Sequence, residues 1–120
     1  MILPRSPTNM FFKKTIGGYL NPVEGIHHKT IAFGKNTLMA EFLLHANSKL
    51  PRHSHPHEQT GYLISGHIRL FIGDESFLCH PGDSWCIPGN VEHSADVIEN
   101  AVAIEVFSPV REDYLPKKSE

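Results

Sequence analysis

Several features are missing from this 120-residue sequence, and each absence argues against a class of function. No apolar run approaches the roughly 18 residues that a membrane-spanning helix needs, so we expect no membrane association. No basic stripe is present and the formal net charge is −2, which argues against a nucleic-acid partner. The stretch from Met1 to Pro7 contains no hydrophobic signal-peptide core. We therefore expect a cytoplasmic protein.

Cysteine is also scarce, with two residues in the chain. Cys79 and Cys86 flank a predicted turn, so a disulfide between them is geometrically conceivable. In a reducing compartment two free thiols are the more frequent outcome. We therefore predict two reduced, half-buried strand residues.

The length and composition fit one globular domain over residues 1–120. Hydrophobic residues make up 40% of the chain and charged residues 20%, which is ordinary for such a domain. We expect an irregular N-terminal arm over about 1–10 and a C-terminal tail over about 112–120.

Short strands with frequent turns dominate the pattern, and no segment has convincing helical periodicity. A short strand is also conceivable over 11–16, and Asn21-Pro22 marks a turn. Further turns are predicted at Gly66 and at Glu99-Asn100. This spacing is typical of an all-β sandwich or barrel. The predicted strands lie at 37–44, 59–65, 67–72, 76–79, 85–87, 93–98 and 101–107.

The densest group of potential metal ligands lies between residues 53 and 59. His53 and His55 are two residues apart, so on a strand their side chains share one face. Pro56 then interrupts the strand because it has no N–H to donate. Gln59 begins the next apolar run. The sequence therefore predicts two imidazoles and a carboxamide oxygen converging on one divalent ion.

Other histidines and one carboxylate nearby are weaker candidates. His57 follows Pro56 in the turn and is expected to point outward or to contact the cavity rim. Glu58 falls on the strand face opposite that of Gln59. His27 and His28 are adjacent and would face opposite sides of a strand, so we expect them to face solvent or form local hydrogen bonds.

The spacing around this group resembles the first motif of the cupin superfamily. His53, His55, Gln59 and Gly66 fall on that motif, with Gln59 in place of the usual glutamate. Asn47 stands where a leading glycine is expected, and asparagine also tolerates left-handed backbone conformations.

The second cupin motif is also present. Gly82, Pro88 and His93 match it, while Asn90 replaces its second glycine and Val97 its closing asparagine. The resemblance implies a double-stranded β-helix, or jelly-roll barrel, in which His93 joins the other ligands as the fourth. It also implies a homodimer that pairs through N-terminal strands.

The predicted cofactor is one divalent transition metal ion. Imidazole and amide donors accept Ni, Mn, Fe, Zn, Co or Cu, so the donor set does not select one of them. Because Gln59 is neutral, the full charge of the ion stays uncompensated. Such a site favours anionic ligands and Lewis-acid chemistry over oxidative chemistry.

A second group of candidate residues lies near the C-terminus. Glu105 and Phe107 share one strand face, and Arg111 follows Pro109. From their charges alone, residues 111–113 are interpreted as solvent-exposed surface residues. The string Phe-Ser-Pro-x-Arg-Glu-Asp-Tyr, however, is similar to small single-domain cupins that include the pectin-degradation (KdgF-like) enzymes. That resemblance implies catalytic roles for Glu105 and Arg111, and substrate binding by Phe107 and Arg111, with Glu105 replacing a more usual Asp.

The resemblance implies an isomerase or tautomerase that opens the ring of a 4,5-unsaturated uronate, a small anionic substrate. Two other functions stay open at this stage. One is a metal-dependent dioxygenase, and the other is a non-catalytic module that binds a sugar or another small ligand.

Overall fold

The structure, a computed structural model, describes residues 9–116. Among these residues no helix has the length and apolar character to cross a membrane. The elements are eight strands and one short 3₁₀ helix: β1 (Leu20–Val23), β2 (Ile26–Phe33), β3 (Leu38–Leu44), β4 (Lys49–His53), β5 (Glu58–Ile72), β6 (Glu75–Cys79), β7 (Ser84–Ile87), β8 (His93–Ser108) and the 3₁₀ helix (Glu112–Tyr114).

Two long antiparallel strands, β5 and β8, pair with each other along nearly their whole length. The first half of β5 also pairs with β7, and its second half pairs with β6. The second half of β8 pairs with β3, and its first half pairs with β4. The long strands therefore run through two layers, one extended by β3, β2 and β1 and the other closed by β4 and β6. The predicted all-β jelly-roll barrel is confirmed.

The predicted turn at Gly66 is wrong, because β5 continues through it. Gly66 has a φ of 87°, and the ladder to β8 shifts register on both sides of it. A Cβ at this position would overlap the backbone of Asn100 and Ala101. The glycine therefore allows a bend and a close crossing of two strands. The turn predicted at Glu99-Asn100 is wrong for the same reason, since β8 also continues.

Alternating residues of the long strands form the inner face of the barrel. Leu63, Ile68 and Leu70 are buried on β5. The same alternation places Gln59 of β5 and Glu105 of β8 inward, where both are buried. Polar side chains are thus held within an apolar barrel, and they define the site described below.

The N-terminal part differs from the prediction in two places. Residues 11–16 form no strand, and Lys29 of β2 instead donates hydrogen bonds to the backbone oxygens of Thr15 and Gly17. The turn predicted at Asn21-Pro22 lies within β1, since the chain reverses at 24–25. The Asn21 amide donates to the Ile26 carbonyl across that reversal and so ties the two strands together.

The two cysteines are free thiols, as predicted. Cys79 is buried and Cys86 is exposed, rather than each being half-buried. At the C-terminus, where a tail was predicted from about 112, the 3₁₀ helix brings the Tyr114 ring to 5.4 Å from that of Phe107. The rest of the predicted arm and tail, at 1–8 and 117–120, lies outside the described residues.

Candidate metal centre

Three histidines from separate segments converge at one point inside the barrel. His53 ends β4 and pairs across the ladder with His93, which begins β8. His55 lies in the loop that follows β4. The potential ligand atoms of the three imidazoles lie within 4.8 Å of one another. The predicted convergence of these side chains is confirmed, and the cluster is positioned to bind a metal ion.

Each imidazole is oriented by a backbone carbonyl two residues away. The Nδ1 atoms of His53 and His93 lie 2.7 Å from the Pro51 oxygen and 2.9 Å from the Val91 oxygen. The Nδ1 atom of His55 lies 3.0 Å from the oxygen of His57. A carbonyl oxygen only accepts hydrogen bonds, so each Nδ1 carries the proton. In the neutral imidazole the lone pair then lies on Nε2, as metal-bound imidazoles require.

Two further observations fit a metal at this point. His93 Nε2 is buried and has no hydrogen-bond partner among the described residues, although its lone pair needs one. Gln59 Oε1 lies 3.0 Å from His55 Nε2, so two lone-pair acceptors face each other. The distance of 3.0 Å between these two atoms is the distance expected between neighbouring ligand atoms when each lies about 2.1 Å from a shared ion. The donor set present therefore fits a divalent ion.

The loop at 88–90 fixes the position of His55. The backbone N–H of Asn90 donates to the His55 carbonyl at 2.7 Å, and Asn90 adopts a φ of 66°. A Cβ at Gly89 would overlap the carbonyl oxygen of Pro56. The two loops therefore pack backbone to backbone. Asn90 satisfies this geometry in place of the motif's glycine because asparagine tolerates the left-handed region.

The electrostatic surroundings keep two of these imidazoles neutral. Burial, and then the charge of Arg111, lowers the pKa of His55. Burial is also the main cause that lowers the pKa of His93 to about 4. At neutral pH the two side chains are therefore unprotonated at Nε2 and available as ligands.

A buried carboxyl group lies beside these ligands. Glu105 is 9% exposed, and its Oε1 accepts a hydrogen bond of 2.9 Å from Trp85 Nε1. Burial raises the pKa of Glu105 to about 7, against the opposing hydrogen bonds from Gln59 and Trp85. Since only the amide nitrogen of Gln59 can donate to this carboxyl, Gln59 directs its oxygen at His55 and its nitrogen at Glu105. The amide thus links the histidine cluster to the carboxyl.

A glycine makes the Trp85–Glu105 contact possible. Gly61 lies on β5 directly between Glu105 of β8 and Trp85 of β7 in the strand register. A Cβ at Gly61 would overlap both the carboxyl oxygen and the indole nitrogen. Sequence reasoning missed Trp85 and Gly61. Only the pairing of three strands shows that they flank Glu105, because the contact joins residues 20 apart in the chain.

The remaining predicted residues, Phe107 and Arg111, also come to the site. Phe107 is fully buried, with its ring centroid 5.6 Å from that of His55. Arg111 has only 15% of its side chain exposed, and it pairs with Asp113 at 2.7 Å. The alternative of a wholly solvated run is therefore wrong for Arg111, because the 3₁₀ helix folds it back against the barrel.

These side chains surround a single small cavity of about 60 Å³. Apolar barrel residues line much of the rest of its wall. Its polar and aromatic lining includes His53, Gln59, His93, Glu105, Phe107 and Arg111.

The weaker candidates stay outside the ligand set. Glu58 is exposed on the outer face of β5, as predicted, and His57 is partly buried beside the cluster. The expectation for His28 is wrong, since it is 5% exposed and its Nδ1 has no hydrogen-bond partner among the described residues. Its ring is stacked between those of Phe42 and Tyr114, which compensates for lost solvent contact.

Known proteins share this fold and part of this sequence. The pectin degradation protein KdgF of Dickeya dadantii is 28% identical over 94 residues, covering 77% of this chain and 86% of that protein. The structure of KdgF from a Halomonas species superposes with a TM-score of 0.81 at 26% identity, covering 88% of this chain and 99% of the other. An RmlC-like cupin from Shewanella frigidimarina has a TM-score of 0.83 at 21% identity, covering 91% and 99%, and shares the fold.

The family comparison agrees with the two motifs and the barrel. The cupin domain model matches residues 40–107, which span β3 to most of β8 and include the three histidines. This match covers more than half of the chain. The protein therefore belongs to the cupin family, and within it the chain resembles KdgF.

Proposed function

We propose that this protein is a metal-dependent isomerase that opens the ring of a small unsaturated sugar acid, a 4,5-unsaturated uronate. One observation carries the proposal. Two histidines of the cluster, His53 and His93, border the same cavity as the buried carboxyl of Glu105 and the guanidinium of Arg111. A relative named for pectin degradation supports an acidic sugar as the ligand.

The metal would be held by four neutral donors. His53, His55 and His93 would provide imidazole nitrogens and Gln59 its amide oxygen, for one divalent transition metal ion such as Ni, Mn, Fe, Zn, Co or Cu. Bound there, the ion would supply Lewis-acid polarisation of a ligand oxygen. Because none of the four donors is charged, the site would favour an anionic ligand.

Arg111 is the residue proposed to hold the substrate carboxylate. Its charge is close enough to the cluster to lower the pKa of both His55 and His93. A planar guanidinium binds carboxylates through directed hydrogen bonds. With its carboxylate on Arg111, a uronate would direct its ring toward the histidines, and Phe107 would form an apolar wall beside it.

Glu105 is the residue proposed to move the proton. Ring opening of a 4,5-unsaturated uronate leaves an enol, and ketone formation requires that the enol oxygen lose a proton and that carbon 4 gain one. A buried carboxyl whose pKa is raised to about 7 is protonated in an appreciable fraction of molecules at neutral pH. Such a group both donates and accepts protons efficiently. Gln59 and Trp85 hold the carboxyl in place for this transfer.

The cellular context that we propose follows from the sequence. The substrate is a small anionic molecule, and neither nucleic acid nor membrane is a partner. A cytoplasmic homodimer stays our prediction for the assembly.

A direct assay tests the proposal. Purified protein loaded with each of the six metals is mixed with 4,5-unsaturated galacturonate, and the ultraviolet absorbance of its conjugated double bond is followed. We expect decay faster than in metal-containing buffer for at least one metal. Glu105→Gln should reduce the rate by about a hundredfold or more, as loss of a general acid–base group does. Glu58→Gln, which alters an exposed carboxylate on the outer face, should leave the rate unchanged.

Other outcomes would point to the other functions. Decay no faster than the buffer control with every metal would refute the isomerase. Uronate binding without turnover would favour the non-catalytic module. Oxygen uptake that depends on the uronate would favour the dioxygenase.

A further inference from the structure

Arg111 lies against two aromatic rings that also contact each other. Its guanidinium carbon lies 3.9 Å from the ring centroid of Tyr114 and 5.0 Å from that of Phe107. These distances are within the range of cation–π contacts. The long side chain of Arg111, which is 15% exposed, is thereby held against the barrel.

The Tyr114 ring is itself fixed by the barrel. It stacks on His28 with centroids 4.5 Å apart and an interplanar angle of 24°. His28 stacks in turn on Phe42 of β3 at 5.2 Å. The hydroxyl of Thr30 also donates to the Tyr114 carbonyl at 2.6 Å. Two strands, β2 and β3, therefore determine where the Tyr114 ring lies.

Asp113 fixes the remaining rotation of the guanidinium. The Nε and Nη2 atoms of Arg111 donate to the two carboxylate oxygens at 3.2 and 2.7 Å. The two rings fix where the group lies, and Asp113 fixes its orientation through these two hydrogen bonds. Between residues 9 and 116 no hydrogen bond engages Nη1, so this nitrogen stays available to a ligand.

We propose that Tyr114 is a positioning residue: its ring, stacked on His28, holds the Arg111 guanidinium in the orientation that binds a ligand carboxylate at the cavity. The inference rests on the proposed function, in which Arg111 receives that carboxylate. Preorganisation strengthens binding because the flexible side chain is ordered before the ligand arrives. The ring of Tyr114 provides the stack, so phenylalanine should replace it and leucine should not.

Nuclear magnetic resonance of the arginine Nε–Hε groups tests the position directly. Zinc-loaded protein is used because zinc is diamagnetic, and Arg111→Lys identifies the Arg111 signal by removing it. Ring currents of Tyr114 and Phe107 should separate this signal from that of Arg52, which pairs with Glu92 at the surface. Tyr114→Leu should move the Arg111 signal toward the Arg52 position, and Tyr114→Phe should leave it near its wild-type position.

A titration with saturated galacturonate, followed on the same signal, tests the effect on binding. Tyr114→Leu should weaken the apparent affinity by about three- to thirtyfold, the range expected for loss of a cation–π contact. Tyr114→Phe should retain wild-type affinity. Leu115→Ala serves as the matched control, because it removes partly buried packing from the same segment while keeping the stack.

The outcomes separate this inference from the proposed function. An Arg111 signal unchanged in Tyr114→Leu would overturn the inference. So would equal weakening in Leu115→Ala, or a wild-type signal that does not respond to galacturonate. Absence of turnover on the unsaturated uronate would instead remove the proposed isomerase, while the signal and the titration still decide the role of Tyr114.

Discussion

The two walls of the candidate site are built in different ways. On the ligand wall, His53, His55 and His93 are each oriented by a carbonyl two residues away in the chain. On the opposite wall, Glu105 is held by Trp85, 20 residues away, and by Gln59 on another strand. The ring orientations on the first wall are set by local backbone, and the contacts of the second wall depend on how distant strands pair. Substitutions on the first should therefore act on metal binding, and those on the second on stability and proton transfer.

The largest effect is expected on the ligand wall. His93→Ala removes one imidazole from the cluster and should lower metal affinity by more than about a hundredfold, since even loss of a supporting contact to a metal ligand costs 10- to 100-fold. Elemental analysis and calorimetric titration measure this. His57→Ala, beside the cluster but outside the proposed ligand set, should keep one metal per chain. Equal loss in both variants would contradict the ligand assignment.

The next effect is expected on the opposite wall. Gly61→Ala places a methyl group where the Glu105 oxygen and the Trp85 nitrogen meet. Such overpacking should lower the free energy of unfolding by about 1–3 kcal/mol. Urea denaturation measures it, with Gly34→Ala as control because nothing lies within 4 Å of a Cβ there. If the two variants are equally stable, the close approach of Glu105 and Trp85 over Gly61 is wrong.

Glu105 should make stability fall with rising pH in the metal-free protein. Its native pKa of about 7 lies above the ordinary 4.5, so the native state binds the proton more tightly than the unfolded chain. The protonated carboxyl of Glu105 therefore stabilises the native state below its pKa in the unfolded chain. This stabilisation is lost as the pH rises through about 7. Between pH 5 and pH 8 this loss amounts to about 2.5 kcal/mol.

A comparison with Glu105→Gln isolates this dependence. Urea denaturation at both pH values, with chelator present, should show a smaller decline for the variant than for the wild type. Identical declines would mean that Glu105 is not buried as a titrating carboxyl. Glu58→Gln, on the exposed side of the same barrel wall, should decline as the wild type does.

The smallest effect concerns His28, behind Tyr114. Burial, and then the charge of Arg111, lowers the pKa of His28 below 6.5. The contribution of His28 to the stability of the native state is therefore present at neutral pH and is lost as the pH falls through the native pKa. His28→Phe keeps a ring in the stack and removes this titration. The difference in melting temperature, His28→Phe minus wild type, should be more positive at pH 5 than at pH 8. A constant difference would contradict burial of a neutral imidazole.

Much of the barrel could be predicted from the sequence because strand alternation and turn residues are local signals. The failures at Gly66 and Glu99-Asn100 have one cause. A residue that ends a strand in isolation instead bends it when the partner strand continues the ladder. His28 was misjudged for a related reason, because its two ring partners lie on β3 and in the 3₁₀ helix rather than near it in the chain.

The sequence by itself determined how the imidazoles of the ligand wall are oriented. A carbonyl two residues away orients each ring, and this geometry involves neighbouring residues only. The convergence of the rings is tertiary, because His93 meets His53 where β8 pairs with β4 and the loop at 88–90 positions His55. Only the tertiary structure decided the opposite wall. There Gly61, Trp85 and Glu105 meet across three strands, and Tyr114 reaches Arg111 from a stack built on two others. No local pattern encodes such contacts, since they depend on strand register and on how the barrel closes.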